Sequence, residues 1–234
     1  MPDRLVVLTF DDASSSHSKF FGLELKKYGF DATFFICEFP PDVDDKTKYM
    51  SWQQIRELDR QGFEIGNYTK DHIRVSKMTP EELQKQVEYV EKKCHEHKIP
   101  KPLSFAYPAW VTAPYAIEEL KESGYRLARS GGNRLYYPQK DHPLLIPSYN
   151  AAGTDSSKVL DAIESAKDVG IVVLTFHGVP DNPHDWVTTP PDLFKFYLKY
   201  LYDHHYNVIA MEDLEEFIDI EEAMKLKPAF RNQD

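Results

Sequence analysis

Leu5-Val6-Val7-Leu8-Thr9-Phe10-Asp11-Asp12 decides the fold. Its first six residues are uncharged and mostly branched, which reads as a strand buried on both faces, as in a parallel sheet flanked by helices. A buried strand delivers two adjacent carboxylates when its end opens into a site. A lone acid would instead cap the turn that follows among Ser14, Ser15 and Ser16. Side chains alternate along a strand, so Asp11 and Asp12 point different ways and can hold different roles, one ligating a metal and the other handling a proton.

The same arrangement recurs late in the chain. Ile171-Val172-Val173-Leu174-Thr175-Phe176 is a second fully apolar strand, and it ends at His177. Further strands are expected at 32–36, 63–66, 103–106, 125–128 and 208–210, with a short one at 144–146. Helices are expected at 17–28, 52–60, 79–97, 113–122, 155–167, 190–204 and 212–218. Two of them carry clear start signals. Ser51 has Gln54 three residues on as a capping-box partner, and Thr79-Pro80-Glu81-Glu82 offers a cap, a proline and two first-turn acids.

Strands alternating with helices, and reactive residues just after strand ends, predict an α/β protein with its site at the C-terminal strand face of a barrel. An open doubly wound sheet would bring a phosphate-binding glycine loop. The one double glycine, Gly131-Gly132, reads as a turn. Length favours one domain over 1–234, with 225–234 as a surface tail.

The net charge of −10 and pI of about 5.4 exclude nucleic acid and anionic membrane as natural partners. No stretch is apolar for long enough to span a bilayer, and no export leader precedes Leu5, which leaves both a cytoplasmic protein and an exported one with its leader removed. Cys37 and Cys94 allow at most one disulfide. Oligomeric state is not legible.

Four motifs stand in a familiar order. Thr9-Phe10-Asp11-Asp12 resembles the first motif of the polysaccharide deacetylases, carbohydrate esterase family 4, the NodB-homology domain. The run from Gly62 to His72 resembles the second, Phe105-Ala106-Tyr107-Pro108 the third, and Leu174-Thr175-Phe176-His177 the last. The resemblance implies a distorted, incomplete (β/α)7-type barrel that hydrolyses acetyl amides of amino sugars with a divalent metal, zinc foremost. It gives Asp11 the general-base role, Asp12 and His72 the metal, and His177 the general-acid role. Two positions depart from the pattern. Tyr68 stands where the family has its first metal-binding histidine, and Ala106 where many members have an arginine that orients the base. His17 is a candidate replacement ligand, and Arg129 a candidate partner for Asp11.

Tyr68, Tyr107, Trp110 and Arg129 are the expected substrate-binding residues, the aromatic ones offering faces to a sugar ring or acetyl methyl. His184, Asp185 and Trp186 follow His177 in a proline-bearing loop and are candidates to line the pocket, although a tryptophan there more commonly anchors the loop. His95 and His97 read as solvated, His204 and His205 as helix-end residues, and His142 carries no signal. Loops 38–50 and 131–154 are expected to set substrate choice. Three functions fit: a metal-dependent deacetylase, a catalytically impaired carbohydrate-binding relative, and a metal-independent hydrolase of another small amide or ester.

Overall fold

The computed structural model describes residues 3–39, 42–166 and 169–230. In chain order the strands are β1 (Leu5–Phe10), β2 (Thr33–Ile36), β3 (Glu64–Asn67), β4 (Ser104–Ala106), β5 (Leu127–Arg129), β6 (Tyr149–Asn150), β7 (Val172–Phe176) and β8 (Asn207–Ile209). The main helices are α1 (Gly22–Lys26), α2 (Trp52–Arg60), α3 (Pro80–Glu96), α4 (Pro114–Glu122), α5 (Ser156–Glu164), α6 (Pro191–Asp203) and α7 (Ile220–Ala223).

Every strand pair is parallel, in the order β5-β4-β3-β2-β1-β7-β6. Ile146 draws the two ends together: its N–H donates to the Ala128 carbonyl (2.8 Å) and its carbonyl accepts from the Ser130 N–H (2.6 Å), just before β6 joins β7. One edge of β1 is shared. β8 pairs with Leu5–Val7, and β2 pairs only with Thr9 and Phe10. That wedge spoils regular closure, and the architecture is the distorted, incomplete (β/α)7-type barrel expected from the sequence.

The alternation of β1 explains its unbroken apolar run. Leu5 and Val7 face an interior cluster with Phe35, Tyr68, Leu127 and Val173. Val6, Leu8 and Phe10 face an outer one that includes Leu25, Ile55, Leu58, Val90 and Leu198 from the helices. Burial on both faces leaves only the strand ends for chemistry. The capping boxes of α2 and α3 form as their sequences predict.

Several expectations need correction. The 17–28 helix opens as a wide turn over His17–Phe21 before α1. The strand expected at 144–146 is a tight turn, Pro143–Leu145, started by His142, whose Nδ1 accepts from the Leu144 N–H (3.1 Å). Only Ile146 keeps extended pairing there, and β6 lies further on. The 212–218 segment winds only into tight turns over Glu212–Glu216. Tertiary bonds hold its start: the Ala210 N–H goes to Asp213 and the Glu212 N–H to Glu64. Neither β6 nor α7 was anticipated. The tail is not purely a surface extension, since Leu226 packs against the interior cluster; 231–234 fall outside the described residues, as does Lys167 at the end of the expected 155–167 helix. Cys37 and Cys94 are both free and buried.

Candidate active site

The two acids of β1 part as strand alternation requires. Asp11 turns into the barrel, where both its oxygens accept from Arg129 Nη2 (2.7 and 2.6 Å). Arg129 comes from the end of β5 and donates through Nη1 to Thr175 Oγ1 (2.8 Å), which donates to Ser148 Oγ (3.0 Å). Asp11, Arg129 and Thr175 are completely buried. Arg129 thus supplies the partner that Ala106 cannot. The expectation that it binds substrate is corrected: it is sealed beneath the site, its guanidinium 5.1 Å from the Phe35 ring centre.

Asp12 turns the other way, into a ring of three histidines. Its carboxylate lies 3.9 Å from His72 Nε2, 4.0 Å from His177 Nε2 and 3.5 Å from His184 Nδ1, distances of ion pairing rather than of short hydrogen bonds. Burial pushes the Asp12 carboxyl up, but the interactions with His184, His177 and His72 outweigh it and hold the group below its ordinary range. Burial lowers His72, against the pull of Asp12 and Asp11. His184 is raised, chiefly by Asp12.

Local sequence fixes each loop. After β3, Asn67 Oδ1 accepts from the Thr69 N–H (2.9 Å), and its amide donates to the Val87 carbonyl. Gln86 on α3 then brackets Asp71, accepting from its N–H and donating to its carboxylate. These bonds aim His72 inward. After β7, Asp181 Oδ2 accepts from the Gly178 N–H and Oδ1 from the His184 N–H, both at 2.8 Å, which curls the loop back over Asp12. A Cβ on Gly178 would stand 2.5 Å from the Asp181 Cα, so the return requires glycine. Backbone strain gathers around the same mouth: Asp12, Ala13, Thr69, His72, Ala109 and Trp110 all have φ between 49° and 74°. Such conformations persist where the surroundings over-determine them, typically at functional sites.

A cavity of about 330 Å³, large enough for a small ligand, opens here, and Asp12, Tyr68, His72, His177 and His184 share its wall with Phe39, Trp110 and Trp186. The structure therefore brings Asp12, Tyr68, His72, Trp110 and His177 together. It leaves three expected residues out of the lining. Asp11 and Arg129 lie below it. Tyr107 is a core residue: it is fully buried against Phe105 and donates to the Leu144 carbonyl (3.0 Å). His17 does not replace a ligand either. It is wholly buried, edge-on to Phe10 and Phe21, with Nε2 3.0 Å from the His177 carbonyl, and burial lowers its pKa to about 4. The loop 131–154 contributes nothing to this cavity, and loop 38–50 contributes Phe39.

Sequence reasoning allowed His184 a place in the pocket lining but gave it no role at the metal, and it missed Asp181. The available signal was the Asp181-x-x-His184 spacing in a loop that leaves the same strand as His177. Trp186 is no loop anchor: it is 74 % exposed at the cavity rim.

The donor set suits a cation. Asp12, Asp181 and His184 offer ligand atoms all within 4.8 Å of one another. Asp12 Oδ1, His72 Nε2, His177 Nδ1 and His184 Nδ1 are buried without a hydrogen-bond partner among the described residues. Unpaired lone pairs at such spacing fit a divalent ion, whose bonds of about 2.0–2.2 Å place ligand atoms roughly 3.3 Å apart.

Known proteins resemble this chain in sequence and fold. A Bacillus cereus peptidoglycan-N-acetylglucosamine deacetylase is 29 % identical over 125 residues, which cover 53 % of this chain and 55 % of that protein. The chain spans about half the length of the curated relatives it matches. Among solved structures, the Xyl-CE4 domain of a multidomain xylanase from the hindgut metagenome of Trinervitermes trinervoides superposes with a TM-score of 0.65 at 19 % identity, covering 92 % of this chain and 91 % of that one. A family 4 acetyl xylan esterase from Clostridium thermocellum, solved with a cobalt ion, gives 0.63 at 21 %, covering 92 % and 93 %. Both likenesses concern the fold. Among the described residues no helix is long and apolar enough to cross a membrane. The model of the polysaccharide deacetylase family matches residues 1–128, a span holding Asp11, Asp12, Tyr68 and His72, and the chain belongs to that family.

Proposed function

We propose that the protein removes acetyl groups from amino sugars, or hydrolyses a related non-peptide carbon–nitrogen bond, with a divalent cation at the Asp12 carboxylate. The convergence of Asp12, His72, His177 and His184 on one cavity at the strand ends supports this most directly. A cation held there supplies Lewis acidity, polarising the acetyl carbonyl and lowering the pKa of water. The chain's own residues do the rest. Asp12 and His72 hold the ion. Phe39, Trp110 and Trp186 offer aromatic faces to the sugar. Water adds to the acetyl carbon, and the carbon–nitrogen bond then breaks. His177 protonates the departing amine, and acetate is the second product. Asp11 is the base that the first motif implies. Tyr68 lines the cavity with its ring centre 5.9 Å from the Arg129 guanidinium, and Asp11 is completely buried; on this reading the Tyr68 ring is the partition between Asp11 and the substrate and swings aside for proton removal.

That partition favours a second reading, a relative that binds carbohydrate with little turnover. Acetate release from acetylated chito-oligosaccharides, measured before chelation, after it and after restoring the cation, decides between them. Release that stops on chelation and returns with the ion is the expected result. Sugar binding without release supports the second reading. Chelator-resistant turnover of a small non-sugar amide or ester would point to a metal-independent hydrolase.

A further inference from the structure

We infer that His184 is the third protein ligand of the cation site, replacing the histidine that the family carries where Tyr68 stands, and that Asp181 and Tyr49 position it. This rests on the metal-dependent reading above.

Three observations carry it. His184 Nδ1 is 3.5 Å from the Asp12 carboxylate, closer than either His72 or His177, and has no hydrogen-bond partner among the described residues. Its other nitrogen is already engaged, with Nε2 3.3 Å from the Tyr49 hydroxyl. A ligating histidine is usually fixed in this way, one nitrogen left for the metal while the other meets an outer partner that sets tautomer and ring orientation. Asp12 Oδ1 and His72 Nε2, 3.9 Å apart, are likewise buried and unpartnered. The three donors thus come from the loops after β1, β3 and β7 and line one cavity, with Asp12 within 4 Å of both histidines. The side toward Trp110 and Trp186 stays open, as a catalytic metal site requires for water and substrate.

Two of the three competing side chains are engaged. Each Asp181 oxygen accepts a backbone N–H, and the residue's own N–H donates to Thr188 Oγ1 (2.8 Å), so its role is to shape the loop that returns His184. His17 is committed to the His177 carbonyl within a phenylalanine cluster. His177 stands 4.0 Å from Asp12, the furthest of the three histidines, and is left for proton transfer.

The test uses the full chain without an affinity tag, freed of metal and titrated with Co²⁺ while the visible d–d absorption is recorded, alongside calorimetry with Zn²⁺. The wild type is expected to bind one ion with an intense four- or five-coordinate cobalt spectrum. His184→Gln and His72→Gln should each weaken binding by at least about 100-fold and abolish that spectrum. Asp181→Asn should weaken binding by about 10-fold and keep it. Melting temperatures of the metal-free variants report that each is folded. Unchanged affinity and spectrum in His184→Gln, with binding lost in His72→Gln, would overturn this inference and leave the metal-dependent reading standing. Loss in Asp181→Asn with retention in His184→Gln overturns it in favour of Asp181. A wild type that binds neither ion would sink both.

Discussion

Asp11 and Asp12 are neighbours in the chain, yet they belong to regions built on opposite rules. Beneath the cavity, Asp11, Arg129, Thr175 and Ser148 form a chain of bonds that leaves, among the described residues, only Arg129 Nε without a partner. At the mouth, Asp12, His72, His177 and His184 each present a buried nitrogen or oxygen that bonds to nothing among the described residues. Buried polar groups are costly unless satisfied. The lower region is therefore nearly closed as structure, whereas the mouth keeps the unpaired donors of a candidate metal site.

The sharpest way to break this contrast is Arg129→Ala. It leaves the Asp11 carboxylate buried without its partner, a loss of about 3–5 kcal/mol in folding stability. Urea denaturation at neutral pH measures it. At the mouth, His72→Gln in the metal-free protein should cost less than about 1 kcal/mol, because that side chain has no hydrogen bond there to lose. Equal losses would mean that the mouth, too, is part of the structural framework.

His17 sharpens the comparison, because it touches the His177 backbone and yet behaves as structure. Burial lowers its pKa from 6.5 to about 4. The folded protein therefore resists a proton that the unfolded chain accepts. The stability this provides is complete above about pH 6.5 and is lost as pH falls through about 4. A shift of that size corresponds to about 3 kcal/mol. His17→Phe keeps a ring among Phe10, Phe21 and Phe34 but cannot titrate. Denaturation curves at pH 7 and pH 4 should show this part of the acid sensitivity in the wild type alone. The same slope in both proteins would show that His17 is not held neutral by the fold.

The barrel was readable because its information is local and repeated: β1 and β7 are apolar on both faces, and α2 and α3 announce their own starts. The ends of those two strands also pointed to Asp12 and His177, and the resemblance of the 62–72 run to the family's second motif pointed to His72. What escaped was set by tertiary return. His17 lies close to Asp12 in sequence, but the wide turn after β1 carries it into the core. His184 lies far from Asp12 in sequence, and only the Asp181 bonds and the tight approach at Gly178 bring it back. Tyr107 misled for a related reason: following a strand end does not decide which way a ring points, and here it points toward α3, α4 and the Leu144 turn.

Tyr68 is where the two regions meet, and its replacement gives the smallest and most specific prediction. Its ring lies edge-on to His72, with centroids 4.6 Å apart, and near the Arg129 guanidinium on its other contact. Tyr68→His introduces the residue type that the second-motif resemblance leads one to expect here and puts a nitrogen donor beside His72. Cation affinity should rise about tenfold, about 1.4 kcal/mol, by calorimetric titration of the metal-free chain. The smaller ring also thins the partition over Asp11, so acetate release should rise by more than the affinity gain alone provides at a saturating ion concentration. Tighter binding with no change in turnover would mean that the partition does not limit the base. No gain in affinity would mean that position 68 does not face the ion, and the alignment of the second motif over this loop would then need to be redrawn.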